Sequence, residues 1–210
     1  MWTGPETEMT IMLYLIRHGA TPSNKRHAYL GKTDEALSDE GRKEILSYKD
    51  NAIYPRISND FLVVSGPMLR CIQTKELIYP DCKEIVIPEW TEIDFGRFEG
   101  KNYQELNGDS DYQSWIDSGG TLAFPGGESR EAFITRSLTG FNRCLKKMLN
   151  YKKNRAVCVV HGGTIMAIVS SLTGGDYYDY QVKNGQGYQL VLKGKGDKIQ
   201  LEQITAVQKL

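Results

Sequence analysis

An arginine and a histidine stand together where a short apolar run ends. Ile11-Met12-Leu13-Tyr14-Leu15-Ile16 leads directly into Arg17-His18-Gly19-Ala20-Thr21. Such a run, rich in β-formers and bounded by Gly and Pro, reads as a buried strand of a parallel sheet. In open α/β sheets, ligands bind where strands end and loops begin. Both side chains are therefore expected at the mouth of a cleft. A guanidinium grips phosphate oxygens bidentately, and a neutral imidazole attacks phosphorus. The chemistry that suits the pair is phosphoryl transfer through a phosphohistidine at His18. A single Arg-His-Gly triplet is short enough to arise by chance, so its weight depends on what else converges on the same edge.

Three further segments do so. Ala156-Val157-Cys158-Val159-Val160 runs into His161-Gly162-Gly163, which repeats the order of buried strand, His and Gly. The Gly pair lets backbone N–H groups approach an anion, and the start of the next helix adds a favourable dipole. Arg70 falls in the first turns of a helix after the strand Phe61–Val64, which aims it at the same rim, although a helix Arg is equally at home in solvent. The stretch from Trp90 to Gly100 holds three carboxylates, Glu92, Asp94 and Glu99. Any of them could serve as a general acid, or merely cap the loop.

The elements that must position these groups alternate along the chain. Ser38 reads as the N-cap of a helix through Tyr48, with Ile45 and Leu46 inward. Pro67 is preset for the first turn of a helix over Met68 to Tyr79. Glu84–Ile87 is a short strand that stops at Pro88. A long helix from Glu128 to Leu149 places Ala132, Leu138, Phe141, Leu145 and Met148 on one stripe, and a helix follows His161 through Leu172. Tyr188–Leu192 and Ile199–Ile204 suit a closing hairpin with its turn at Gly194-Lys195-Gly196-Asp197. Alternation of this kind predicts an α/β three-layer sandwich, a mostly parallel central sheet flanked by helices. Residues 1–10 read as an N-terminal tail and 11–210 as a single domain. Within it, 100–127 has no strong apolar period and is too long for an ordinary loop, so it reads as a lid or substrate-specificity insertion.

Composition narrows the function classes. Lys plus Arg equal Asp plus Glu at 26 each, so no overall field favours nucleic acid or an anionic membrane. No run is long enough to span a membrane, and the first ten residues lack signal-peptide character. The expectation is a cytoplasmic protein. Cys71, Cys82, Cys144 and Cys158 show no zinc-ligand spacing and read as core thiols. With three histidines and no paired acidic ligand pattern, neither metal nor cofactor is expected.

Taken together, the motifs resemble the histidine phosphatase superfamily, also called phosphoglycerate-mutase-like, over nearly the whole chain from Ile11 to Ile204. The family's opening Arg-His-Gly block matches through Thr21, with its Asn at Asn24. Its next signature is matched by Gly31-Lys32-Thr33-Asp34-Glu35-Ala36-Leu37-Ser38-Asp39-Glu40-Gly41. Its Ser-Ser-Pro-Leu-x-Arg-Ala-x-x-Thr stretch is matched by Ser65 to Thr74, with Gly66 and Cys71 as mild departures. The acidic loop matches Glu92 to Gly100, and the second His-Gly-Gly is His161 to Gly163. The resemblance implies that His18 is the nucleophile and that Glu92 protonates the leaving alkoxide and then activates water. It implies that Arg17, Asn24, Arg70 and His161 hold the phosphate, with Gly162 beside them. Charge would come from the two guanidiniums and a protonated His161.

The chain lacks the Trp that the mutase branch carries within the segment matching Tyr29–Asp34. Its Phe124-Pro125-Gly126-Gly127-Glu128-Ser129 resembles an element of small phosphatases, including α-ribazole phosphatases. A phosphomonoesterase acting on a small phosphorylated metabolite is therefore the expectation, with α-ribazole 5′-phosphate one candidate. Phosphoglycerate-mutase-type transfer is the alternative. A catalytically silent phosphate-binding relative is a third reading, which the intact set of matched residues disfavours. Tyr103, Tyr112, Trp115 and Phe124 could stack on a substrate or pack the lid, with packing the default. Arg26 and His27 could meet a second anionic group or lie in solvent.

Overall fold

Four apolar segments form the parallel part of one sheet. In the computed structural model, which describes residues 8–195 and 198–207, these are β1 (Met9–Arg17), β2 (Phe61–Ser65), β3 (Ile85–Val86) and β4 (Arg155–Val160). The antiparallel strands β5 (Gly187–Lys195) and β6 (Lys198–Val207) complete the order β3-β2-β4-β1-β5-β6. Helices α1 (Pro22–Lys25), α2 (Asp39–Asp50), α3 (Leu69–Ile78), α4 (Ser110–Asp117), α5 (Arg130–Asn150) and α6 (Gly162–Thr173) lie between them. The expected α/β sandwich is the fold the chain adopts.

Alternation along the central strands feeds two cores. Leu13 and Leu15 of β1 join Ala156, Cys158 and Val160 of β4 beneath Phe141, Leu145 and Met148 of α5 and Ile165, Ile168 and Val169 of α6. Ile16 and Val157 face the other way, against Ile45 and Tyr48 of α2 and Ile78 of α3. Each fully buried aliphatic side chain contributes roughly 1.5–3 kcal/mol relative to exposure. The two layers therefore hold the strand ends rigidly.

Several local expectations are corrected. β1 begins at Met9, so Met9 and Thr10 belong to the strand rather than to a tail. Leu46 is 40% exposed: neighbours on a helix point about 100° apart, and Ile45 takes the inward position. α3 starts at Leu69 with Met68 as its N-cap, which leaves Pro67 outside the helix. Ser129 caps α5 by accepting from Ala132 N at 3.1 Å; Ala132 lies about 180° round the helix from Phe141 and faces outward, while Phe133 joins the buried stripe. The third strand is trimmed to two residues. The turn residues 196–197 of the closing hairpin lie outside the described residues.

Segment 100–127 is not plain loop. Asp109 Oδ1 accepts from Asp111 N (2.9 Å) and Tyr112 N (3.1 Å) and so caps α4. Tyr112 and Trp115 of α4 pack with Phe98, Phe124 and Tyr29 in a third cluster beside the sheet's C-terminal edge. Tyr103 stays outside it, 58% exposed. No helix among the described residues is long and apolar enough to cross a membrane.

Candidate active site

Strand register brings the two histidines together. β1 and β4 run parallel with Arg17 opposite Val160, so His18 and His161 are the next residues off adjacent strand ends. His18 N donates to Val160 O at 2.9 Å, and the imidazole centroids are 5.2 Å apart at 68°. Both rings are buried.

The environment of His18 sets its proton. Nδ1 lies 2.7 Å from the carbonyl of Gly19, which can only accept, so Nδ1 carries the hydrogen and Nε2 keeps its lone pair. Burial, then the Arg70 and Arg17 guanidiniums, push its pKa well below 6.5. The loop is held by Thr74, whose Oγ1 accepts from Gly19 N (2.9 Å) and donates to the Arg70 carbonyl (2.7 Å).

Arg70 is fully buried behind the histidines, not solvated. Its Nη1 donates to Thr33 O (2.9 Å) and Nη2 to Gly31 O (2.8 Å). Its Nε donates to His161 Nδ1 at 3.3 Å. The expected protonated His161 is not what this arrangement favours. Nδ1 accepts a hydrogen bond, and burial followed by Arg70, His18 and Arg17 pushes the ring's pKa well below 6.5. His161 is neutral, with its proton on Nε2. Cys71 Sγ packs 3.6 Å from that nitrogen, and burial drives its thiol pKa upward, so it is no nucleophile.

Arg17 and Asn24 flank the opening. Arg17 Nη1 donates to Val182 O at 2.7 Å, while its buried Nε has no partner among the described residues. Burial pulls the Arg17 pKa below the ordinary guanidinium value. Asn24 Oδ1 accepts from Thr21 N and from Asn184 Nδ2, each at 3.2 Å, which turns its NH₂ group toward other acceptors. Gly162 opens α6 against the Arg17 side chain.

Glu92 is the carboxylate closest to the second histidine loop. Oε1 accepts from Ile93 N at 3.0 Å and Oε2 from Gly163 N at 3.3 Å. Burial raises its pKa above 4.5, opposed by those N–H groups, Arg70 and Arg17. A Cβ on Gly163 would collide with Oε1, so only glycine permits this approach. Asp94 instead pairs with Lys32. Glu99 Oε1 accepts from Gly31 N (2.9 Å) and Thr33 N (3.0 Å), ordering the loop whose carbonyls hold Arg70.

Two connected hollows open here. An outer vestibule of about 880 Å³ is lined by Arg17, His18, Asn24, His27, Glu92 and Lys183. An inner chamber of about 290 Å³ shares Arg17 and Glu92 and includes Tyr29, Phe95, Trp115, Phe124, Tyr177 and Tyr178 in its wall. His27 thus faces the vestibule, while Arg26 is not on its wall. Among the described residues, no three His, Cys, Asp or Glu side chains gather as metal ligands.

The sequence pattern of the Histidine phosphatase superfamily (branch 1) matches residues 13–205. The chain belongs to the histidine phosphatase superfamily. Its relatives carry enzyme names. One is a probable phosphoglycerate mutase, GpmB, of Proteus mirabilis, 27% identical over 168 residues, 78% of this chain and 75% of the relative. Another is a metal-independent phosphoserine phosphatase of Arabidopsis thaliana, 28% identical over 177 residues, 80% and 71% of the two chains. The crystal structure of an alpha-ribazole phosphatase from Shigella flexneri superposes with a TM-score of 0.72 at 23% identity, covering 91% of this chain and 95% of that one. At that identity the likeness bears on the fold alone.

Within this histidine phosphatase fold, Arg17, His18, Asn24, Arg70, Glu92, His161 and Gly162 converge on one sheet edge. Sequence reasoning missed Asn184, whose Nδ2 also donates to His18 O at 3.0 Å. It missed Arg130, Tyr177 and Tyr178 of the inner chamber as well. No local pattern marks these residues: Arg130 opens α5, and Tyr177, Tyr178 and Asn184 lie in the connection between α6 and β5.

Proposed function

We propose that this chain is a metal-independent phosphomonoesterase of small phosphorylated metabolites, acting through a phosphohistidine at His18. The observation that carries the reading is the orientation and charge of His18. Its Nδ1–H is tied to Gly19, and burial beside two guanidiniums keeps Nε2 unprotonated. Nε2 attacks phosphorus, a P–N bond forms, and the P–O bond to the alcohol breaks. Glu92, protonated more readily than an ordinary carboxylic acid, gives its proton to the leaving oxygen. Water then attacks phosphorus, Glu92 takes its proton, and the P–N bond breaks to release phosphate. Arg17, Arg70, Asn24 and the Nε2–H of His161 hold the phosphoryl oxygens throughout. Segment 100–127 serves as the lid over the leaving group.

Rapid-quench labelling from a phosphorylated substrate tests this. An acid-labile adduct on His18, lost in His18→Ala, is expected; label on any other residue overturns the assignment. Mutase-type transfer is the second reading, favoured by the naming of the Proteus mirabilis relative. Interconversion of 2- and 3-phosphoglycerate without phosphate release would select it.

A further inference from the structure

We propose that Arg136 and Glu128 form a clamp that sets the position of the Glu92 carboxylate, which makes Arg136 a positioning residue for the proton transfer. The inference rests on the phosphomonoesterase reading above and concerns how its acid is aimed. A general acid works only within hydrogen-bond reach of the leaving oxygen, and misplacement by about 1 Å can cost ~100-fold in rate. Yet Glu92 stands on residues 91–95, which belong to no helix or strand, between the short turns Pro88–Trp90 and Gly96–Phe98. Its carboxylate accepts only backbone N–H groups, those of Ile93 and Gly163. Among the described residues no side chain donates to it, so its aim depends on whatever fixes this backbone.

Arg136 of α5 holds the chain just before Glu92. Its Nη1 donates to Glu89 O (2.7 Å) and to Thr91 O (2.8 Å). Its Nε and Nη2 donate to Glu128 Oε1 (3.1 Å) and Oε2 (2.7 Å), a bidentate pair. Glu128 continues the grip beyond Glu92: its backbone N donates to Asp94 O at 2.9 Å, and its Oε2 accepts from Asp94 N at 3.4 Å. One ion pair thus holds the segment on both sides of the acid. The same guanidinium lies 5.0 Å from the ring centroid of Phe133, a buried side chain that backs onto Gly163, the donor to Glu92 Oε2. Trp90 anchors the segment to α5 separately, its Nε1 donating to Ser137 O at 3.2 Å, so loss of Arg136 should loosen the acid without releasing the loop. Both members of the pair are partly exposed, and such ion pairs add little stability. What this one supplies is geometry, because the planar guanidinium serves a carboxylate and two carbonyls in a fixed fork.

A double-mutant cycle with Glu92 tests the clamp. Rapid-quench rates of phosphoenzyme formation are compared for glycerol 2-phosphate, whose leaving alkoxide needs a proton, and p-nitrophenyl phosphate, whose leaving group needs little protonation. We expect Arg136→Gln to slow the first about 10- to 100-fold and the second by about threefold at most, with Arg136→Lys recovering part of the loss. In the Glu92→Gln background, Arg136→Gln should cost nothing further. Equal losses for the two esters, or a loss that adds in full to that of Glu92→Gln, overturn the proposal and leave Arg136 as scaffold. An absence of any loss overturns it too. Should Arg136→Gln fail to fold, Glu128→Gln carries the same cycle. If the wild type forms no adduct, or Glu92→Gln slows both esters alike, the reading above fails instead. The crystal structure of the clamp variant then still decides the positioning: a Glu92 carboxylate parted from the Gly163 N–H upholds it, and an unmoved one rejects it.

Discussion

Arg70 Nε donates to Nδ1 of His161 across 3.3 Å, and this contact makes the second histidine a neutral donor. A cation and an imidazole share a buried site without repulsion because the imidazole offers its lone pair. The cost appears elsewhere, in the response to pH.

Both His18 and His161 have folded-state pKa values well below the ordinary 6.5. The unfolded chain therefore binds protons first as pH falls, and stability present above about 6.5 is lost toward the folded values. Glu92 has the opposite sign: its raised pKa favours the fold below 4.5 and loses that contribution as pH rises through the folded value. Urea unfolding between about pH 7 and 5 should show a declining midpoint, flattened in His161→Gln. Parallel declines in both proteins would remove His161 from the explanation.

Removing the acid should separate two kinds of substrate. Glu92→Gln is expected to slow hydrolysis of alkyl phosphates by ~100-fold or more, as loss of a general acid does. Formation of the phosphoenzyme from p-nitrophenyl phosphate should suffer less, because its leaving group needs little protonation. Breakdown of phospho-His18 should slow for both. Single-turnover kinetics read each step, and equal losses of the first step would assign the proton to another group.

Chelation provides a sharper division. Activity should survive EDTA, and vanadate should inhibit by adopting the trigonal-bipyramidal shape of the transition state. Loss on chelation with recovery on adding a divalent ion would defeat the proposed reaction.

Thr74 makes a quieter contribution that is also measurable. Thr74→Val keeps the shape but leaves the Gly19 N–H buried without an acceptor, which costs about 1–3 kcal/mol. Because Gly19 carries the carbonyl that orients His18, the variant should lower kcat more than it raises KM. A stability loss with kcat unchanged would confine Thr74 to the scaffold.

The strands and the ligand-facing edge were legible because buried parallel strands are continuous apolar runs, and both histidines sit one residue beyond them. Where the reading slipped, local geometry decided. On α5, Ala132 lies nine residues from Phe141, about 180° round the helix, so Phe133 rather than Ala132 faces inward. α4 was invisible because eight residues give too few turns for a period. Protonation of His161 could not be read from residue type, since it follows from burial and from a hydrogen bond to Arg70. Arg130 carries no local signal in the sequence, and its place beside Tyr177 and Tyr178 comes only with the fold.

The parallel register of β1 and β4 also bears on how the protein is made. His18 emerges from the ribosome well before β4 and His161. A slip of one residue between the two strands would turn their core side chains to the wrong faces and part the two imidazoles together. Truncated or misregistered chains therefore carry His18 without the apparatus to use it. The onset of turnover then marks the moment at which the central sheet has closed.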